Sequence, residues 1–309
     1  MKPFRFGVQS TGPSHAEGWA AMARRAEALG YDTLTCADHF DGQFAPLPAL
    51  VAAAGATTTL RLGTMVLAND FRHPVVTAKE IATVDVLSGG RLEFGIGAGW
   101  MATDYEQAGL TMDRPGVRIA RLAEAIEVIR PLVAGRTVDH VGEHYRIAGL
   151  VGTPAAVQQP AVPLVVGGGG RRILELAGRV ADIVGINVDL RAGVIDERAG
   201  PTGTPEATDE KIAWVRAAAG DRFDDIEFQV RVHVAAPTDD PDGMAEVMAP
   251  ALGIDPAAAL ASPHALVGTV PAMIETLQAR RERWGISYIG FGVDAMESMA
   301  PVVDALAGT

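Results

Sequence analysis

Strand-like runs, each followed by a helical pattern, begin near positions 4, 31, 61 and 91 of this chain. "FRFGVQS" (4–10) reads as a strand and "SHAEGWAAMARRAEALG" (14–30) as a helix, with Ser14 as N-cap, Glu17 completing a capping box and Gly30 as the stop. "YDTLTCA" (31–37) is a second strand and "PLPALVAAAGATTT" (46–59) a second helix. "RLGTMVLA" (61–68) precedes the helix "PVVTAKEIATVDVLSGG" (74–90), and "RLEFGIGAG" (91–99) precedes "PGVRIARLAEAIEVIRPLVAG" (115–135). A strand–helix unit about every thirty residues is the rhythm of a (β/α)8 barrel or of a doubly wound sheet.

The rhythm then breaks. Residues 136–160 hold no helical pattern and read as an inserted hairpin and loop. Strand-like runs return at 163–167, 182–186, 226–235 and 286–292, which makes eight, with helices at 170–180, 208–219, 270–284 and 297–307. Thr269 is an N-cap, followed by an early proline and a closing Gly285. Segments 187–207 and 237–265 lack periodicity and read as long loops, which in a compact domain are usually functional. Eight units with long insertions after strands four, six and seven favour a (β/α)8 TIM barrel, one domain over residues 1–309.

Composition removes several function classes. The chain has 309 residues, 48% hydrophobic, with no apolar run near the length of a membrane span. "MKPFRFGVQS" lacks a signal-peptide layout, and the single cysteine, Cys36, forms no internal disulfide, so a cytoplasmic setting is expected. The net charge of −12, without a long Lys/Arg cluster, argues against a nucleic-acid partner. No His-x-x-x-His on a helix, Cys-x-x-Cys or Gly-x-Ser-x-Gly appears, so no metal site or serine nucleophile is expected.

Barrel active sites lie at the C-terminal ends of the strands. "ADHF" (37–40) places Asp38 and His39 just past strand two, where an imidazole could manage a proton near neutral pH or hydrogen-bond a bound ring. They could equally be a structural pair. "VVGGGGRRILELAG" sets Gly167, Gly168, Gly169 and Gly170 between strand five and a helix led by Arg171. Glycine amides, a helix start and an arginine suit a phosphate group, whereas a single turn needs fewer glycines. No Walker or dinucleotide fingerprint is present.

These pieces in this order resemble the luciferase-like monooxygenase superfamily, and within it the oxidoreductases that use the deazaflavin coenzyme F420. The matching stretches are "AEALGYDTLTCADHF", "LRLGTMVLANDFRHPVVTAKEIATVDVLSGGRLEFGIGAGW" and "GEHYRIAGLVGTPAAVQQPAVPLVVGGGGRRILELAGRVADIVG", with "LVGTVPAMIETLQARRERWGISYIGF" near the end. The resemblance implies that Asp38 and His39 sit against the ring, His39 near its reactive centre; the adjacency of the two residues adds the expectation that Asp38 orients the imidazole. It implies that Met65, Val66, Ala68 and Asn69 form a bulge behind the ring, with a non-proline cis peptide at or near Met65–Val66. Gly97, Ala98 and Gly99 would line the ring, and Gly167 to Gly170 with Arg171 would hold the phosphate. On this reading Gly169→Val weakens cofactor binding far more than folding.

Sugar-phosphate-oxidising members carry a tryptophan after the Asp-His pair and an acid after the strand-four glycines; here Gln43 and Trp100 stand there. That argues against a sugar-phosphate dehydrogenase and leaves Trp100 as a pocket wall or a packing residue. The expected function is hydride exchange between coenzyme F420 and a small-molecule substrate, in a homodimer. The alternatives are an FMN-dependent monooxygenase and a non-catalytic cofactor-binding barrel.

Overall fold

Eight parallel strands close into a ring among the described residues, 1–10 and 15–309, of the computed structural model. They are β1 (Arg5–Ser10), β2 (Thr33–Cys36), β3 (Arg61–Thr64), β4 (Leu92–Gly97), β5 (Leu164–Gly168), β6 (Ile183–Ile186), β7 (Glu227–Arg231) and β8 (Ile286–Gly292). Each pairs with its chain neighbours, and β1 pairs with β8 to close the barrel. Around it run α1 (Ala16–Ala28), α2 (Pro46–Ala56), α3 (Pro74–Leu87), α4 (Pro115–Val133), α5 (Arg171–Val180), α6 (Pro205–Ala219), α7 (Val270–Trp284) and α8 (Ala300–Leu306). The TIM barrel expected from the thirty-residue rhythm is the fold observed.

Local signals decide the helix ends. Thr269 caps α7 through its side chain, and Gly285 ends it at φ +73°. At α1 the cap is His15, whose Nδ1 accepts from the Gly18 amide; Ser14, read as the cap from sequence, lies outside the described residues. The insertion at 136–160 contains the expected hairpin, Thr137–Val141 paired with Arg146–Val151. Segment 237–265, read as loop, instead holds helices Pro241–Leu252 and Pro256–Ala261. Each starts at an aspartate cap, Asp240 or Asp255, with proline in the first turn. The expected strand 226–235 ends at Arg231, and Val234–Pro237 pairs instead with Ala265–Gly268 in a small sheet of its own. Between β4 and α4 a short helix, Ala102–Ala108, was not anticipated.

The two faces of each strand are unlike. Outward side chains such as Phe6, Leu34, Leu62, Phe94 and Phe228 pack with the helices in the main core. Inward, the N-terminal end of the barrel is filled by charge. Arg5 on β1 reaches across the lumen to Glu93 on β4 at 2.7 Å and to Glu227 on β7 at 2.6 Å. Arg61 reaches the same Glu93 oxygen at 2.8 Å. The Arg5 guanidinium also lies 4.3 Å from the Tyr288 ring centroid. Burial works against the Arg5 charge, but Glu93 and Glu227 outweigh it and raise its pKa. Above this layer an apolar cluster of Val165, Ile183 and Tyr288, with Met65 packed on it, occupies the lumen.

Three expectations follow. Glu93→Ala strands two arginines in the lumen and should cost about 3–5 kcal/mol in chemical denaturation. Removing the exposed Arg25–Glu297 pair should leave the midpoint unchanged. The third concerns pH. His233 and His264 lie 5.5 Å apart between ring centroids, and burial, reinforced by Arg231 and by His233 respectively, lowers them to about 4 and about 3. Unfolding lets both take a proton below the usual value of about 6.5. Stability should therefore fall as pH drops from 7 towards 4, by at most about 1.4 kcal/mol per pH unit for each histidine. Denaturation midpoints of the parent and of His264→Asn across that range measure the slope, which the variant should reduce.

Candidate functional site

The C-terminal rim is built around an interruption of the third strand. After Thr64 the chain leaves β3 through a cis peptide between Met65 and Val66, and rejoins β4 with Leu67 opposite Ile96 and Ala68 opposite Gly97. The glycines of β4 make room for it. A Cβ on Gly95 would collide with the Thr64 carbonyl, and one on Gly97 would stand 2.8 Å from a Val66 methyl. Gly99 has φ +73°, and a Cβ there would run into the Tyr105 hydroxyl. Arg118 donates to the carbonyls of Ala98 at 3.3 Å and of Gly99, fixing the turn that precedes Trp100.

Asp38 belongs to the same construction. Its carboxylate accepts from the Ala68 amide at 3.0 Å and takes both terminal nitrogens of Arg72, at 2.5 and 3.0 Å. Being buried and fully engaged, it cannot orient His39, which corrects the role given to it by sequence adjacency. His39 turns the other way. Its Nδ1 lies 2.7 Å from Asp104 Oδ2, on the unanticipated helix Ala102–Ala108, and Asp104 Oδ1 also accepts from the Phe40 amide at 3.2 Å. A carboxylate only accepts, so Nδ1 carries a proton and Nε2 is left to exchange one. Trp100 meets the His39 ring edge-on at 5.7 Å. Gln43 is half-buried nearby in the chain, and its Oε1 has no hydrogen-bond partner among the described residues.

Asn69 donates to the Tyr145 hydroxyl at 3.1 Å, joining the bulge to the inserted hairpin. Asp70 accepts from Tyr105 at 3.0 Å and from Arg121 at 2.9 Å. Sequence reasoning missed Asp104, Arg72 and Arg118. The stretch "MATDYEQAG" did carry a signal, a helical length closed by Gly109 at φ +66°.

The four glycines have a different account from the one that sequence suggests. A Cβ on Gly168 would press into Ile173 of α5, and one on Gly169 would collide with the backbone of Val188. Both glycines are required by the chain's own packing, so Gly169→Val strikes the fold itself, against the expectation above. Gly170 is different: the nearest group to a Cβ there is the Asp189 carboxylate at 3.6 Å. Gly170 caps α5 without any side-chain bond, leaving first-turn amides for a ligand. Arg171 stands at the first position of α5. Its side chain is 69% exposed and pairs with Glu175 at 2.7 Å. Arg172 instead lies over Gly116, in the first turn of α4, whose start also lacks a side-chain cap. Asp189 adds a local negative charge, held by Arg191.

The loop following β6 ties these parts together. Lys211, buried and lowered to about 8 mainly by desolvation, donates to the carbonyls of Asn187 at 2.6 Å and of Thr202. Gly193 O accepts from the Ala102 amide at 3.0 Å, at the start of the helix that carries Asp104. Cys36, buried with its thiol pushed up to about 12 by desolvation, is poorly placed for thiolate chemistry.

A family model described as luciferase-like monooxygenase matches residues 1–286. One relative is an F420-dependent glucose-6-phosphate dehydrogenase of Nakamurella multipartita, 36% identical over 194 residues, which are 58% of this chain and 55% of that protein. Another is a 5,10-methylenetetrahydromethanopterin reductase of Archaeoglobus fulgidus, 33% identical over 183 residues, 59% of this chain and 53% of that protein. The chain thus spans about half the length of the curated relatives it matches. The solved coenzyme F420 dependent tetrahydromethanopterin reductase from Methanopyrus kandleri superposes with a TM-score of 0.78 at 18% identity, over 98% of this chain and 99% of that one. An F420-dependent secondary alcohol dehydrogenase gives 0.76 at 19% identity, over 99% of both chains. At these identities the two structures speak to the fold.

The glycine geometry gives a test. Gly169→Ala should lower the melting temperature by several degrees, because a backbone must move. Gly170→Ala, with φ −96° and an open Cβ direction, should melt with the parent. Differential scanning fluorimetry of the two proteins decides it.

Proposed function

Because the chain belongs to the luciferase-like monooxygenase family, we propose that it is an oxidoreductase exchanging a hydride between coenzyme F420 and a small organic substrate. The observation that carries the reading is the His39–Asp104 pair, 2.7 Å apart beside the interrupted third strand and the Trp100 ring. When bound, coenzyme F420 supplies a two-electron hydride at a ring carbon that reacts poorly with oxygen, and that chemistry belongs to the cofactor.

The chain's residues supply the remainder. Met65 and Val66, with Ala68 and Asn69 beyond them, form the surface that would back a flat ring. The segment Gly97–Ala98–Gly99, held by Arg118, presents a side-chain-poor wall. First-turn amides of α5 after Gly170, with Arg172 in place of Arg171, would hold the phosphate. Asp104 fixes the imidazole of His39 in one orientation and tautomer, so that Nε2 gives or takes the proton that accompanies hydride transfer. The F420-dependent glucose-6-phosphate dehydrogenase among the relatives supports the choice of cofactor. The sugar-phosphate substrate is not carried over, since Gln43 and Trp100 stand where sugar-phosphate-oxidising members have a tryptophan and an acid.

A cytoplasmic homodimer goes with this reading. Supporting the dimer, α3 exposes Val76, Val86 and Leu87; among the described residues no helix is long and apolar enough to cross a membrane. Sedimentation of the purified protein should show twice the chain mass.

Absorbance titration with F420 and with FMN tests the cofactor. Saturable binding of F420 is expected, and binding of FMN alone would move the chain to the oxygen-activating side of the family. His39→Ala should lower turnover by roughly 10²–10⁴-fold with much less effect on cofactor affinity. Asp104→Asn, which leaves the imidazole without a carboxylate, should lower turnover in the same direction and less steeply. Turnover of His39→Ala within a few-fold of the parent would make His39 a ring-binding residue only.

A further inference from the structure

Arg231 is the last residue of β7, and β7 points alternate side chains into the lumen. Glu227 does so, since it meets Arg5 of the non-adjacent β1. Gln229 does so, since its amide stands 3.2 Å from a Cβ position on Gly185 and 3.1 Å from one on Gly290. Two residues further along, Arg231 therefore faces the mouth of the barrel. Its Nη2 lies 3.8 Å from where a Cβ on Gly292 would be.

Every other arginine facing the lumen or clamping the rim has partners. Arg5 and Arg61 have Glu93, Arg72 has Asp38, and Arg118 has two carbonyls. Among the described residues Arg231 makes no side-chain hydrogen bond or ion pair, and its Nε is buried without a partner. Asp294, on the turn after β8, is a neighbouring carboxylate whose Oδ1 crowds the same Cβ position on Gly292 without coming within ion-pair distance of Arg231, and burial lowers the Arg231 pKa in spite of that charge. The backbone is nonetheless firmly held. The Arg231 carbonyl accepts from His264 Nδ1 at 2.9 Å, and β7 is paired on both sides. A guanidinium fixed at a barrel mouth, half desolvated and unpaired, is costly unless an anion completes it.

We propose that Arg231 anchors a carboxylate of the substrate, so that the enzyme acts on a small organic acid. One planar guanidinium balances one carboxylate in charge and in hydrogen-bond geometry, whereas a phosphate dianion would need a second cation. This inference rests on the oxidoreductase reading for its setting, and it is tested without turnover.

The test titrates sodium benzoate and its neutral counterpart benzamide into the parent, Arg231→Gln and Arg231→Lys, with and without F420, following tryptophan fluorescence. Benzoate is expected to saturate the parent and to bind Arg231→Gln at least 10-fold more weakly, with Arg231→Lys between them and benzamide alike in all three. Arg231→Gln should keep its F420 affinity and, having lost an unpaired, half-buried charge, melt a few degrees higher than the parent. Equal benzoate affinity in parent and Arg231→Gln overturns the proposal, as does preference for inorganic phosphate over benzoate. Loss of F420 affinity in Arg231→Gln also overturns it, by assigning the residue to the cofactor. Failure of the parent to bind F420 at all would strike the oxidoreductase reading instead, and the benzoate titration would still be read by itself.

Discussion

The carboxylate of Glu93, 2% exposed and bound by Arg5 and Arg61, is the constraint on which the barrel depends. It joins β1 to the paired strands β3 and β4 across the lumen, and Arg5 continues to Glu227 on β7. A barrel interior is usually closed by branched apolar side chains. Here ions close the N-terminal end, and buried ions hold their positions only when each finds its partner. That requirement fixes strand stagger at one end and leaves the other end free for chemistry.

Inward positions higher in the barrel are correspondingly small. Gly7, Gly63, Gly95, Gly167, Gly185 and Gly290 face the lumen or the adjoining strand, and Thr35, Tyr288 and Gln229 fill the space they leave. The rim can therefore be assembled from loops without competing with a bulky core. Asp38 and Arg72 tie the interrupted third strand to the second, and Arg118 clamps the turn after the fourth. His39 then stands on a frame whose other members are all anchored in backbone.

Much of the fold was legible because the apolar periodicity changes from two to nearly four at each strand–helix junction, and eight such changes admit few architectures. The helices at 241–252 and 256–261 were missed although Asp240-Pro241 and Asp255-Pro256 announce them, because alanine-rich sequence carries little periodicity. The site was legible in its residue types and not in its pairings. Asp38 and His39 are adjacent in the chain, yet side chains of neighbours past a strand leave in different directions, so each found a partner 34 or 65 positions away. The glycine run was read as room for a ligand; at Gly168 and Gly169 the close neighbours are Ile173 and Val188, contacts that no local pattern encodes. Arg231 drew no notice because a lone arginine in a strand has no motif.

The bond between the Ala102 amide and the Gly193 carbonyl ties two loops that are distant in sequence. The loop after β6 cannot swing outward as an independent lid. Opening it breaks that bond and releases the start of the helix on which Asp104 stands. The position of that loop is thus linked, through the Ala102–Ala108 helix and Asp104, to the orientation of the His39 imidazole.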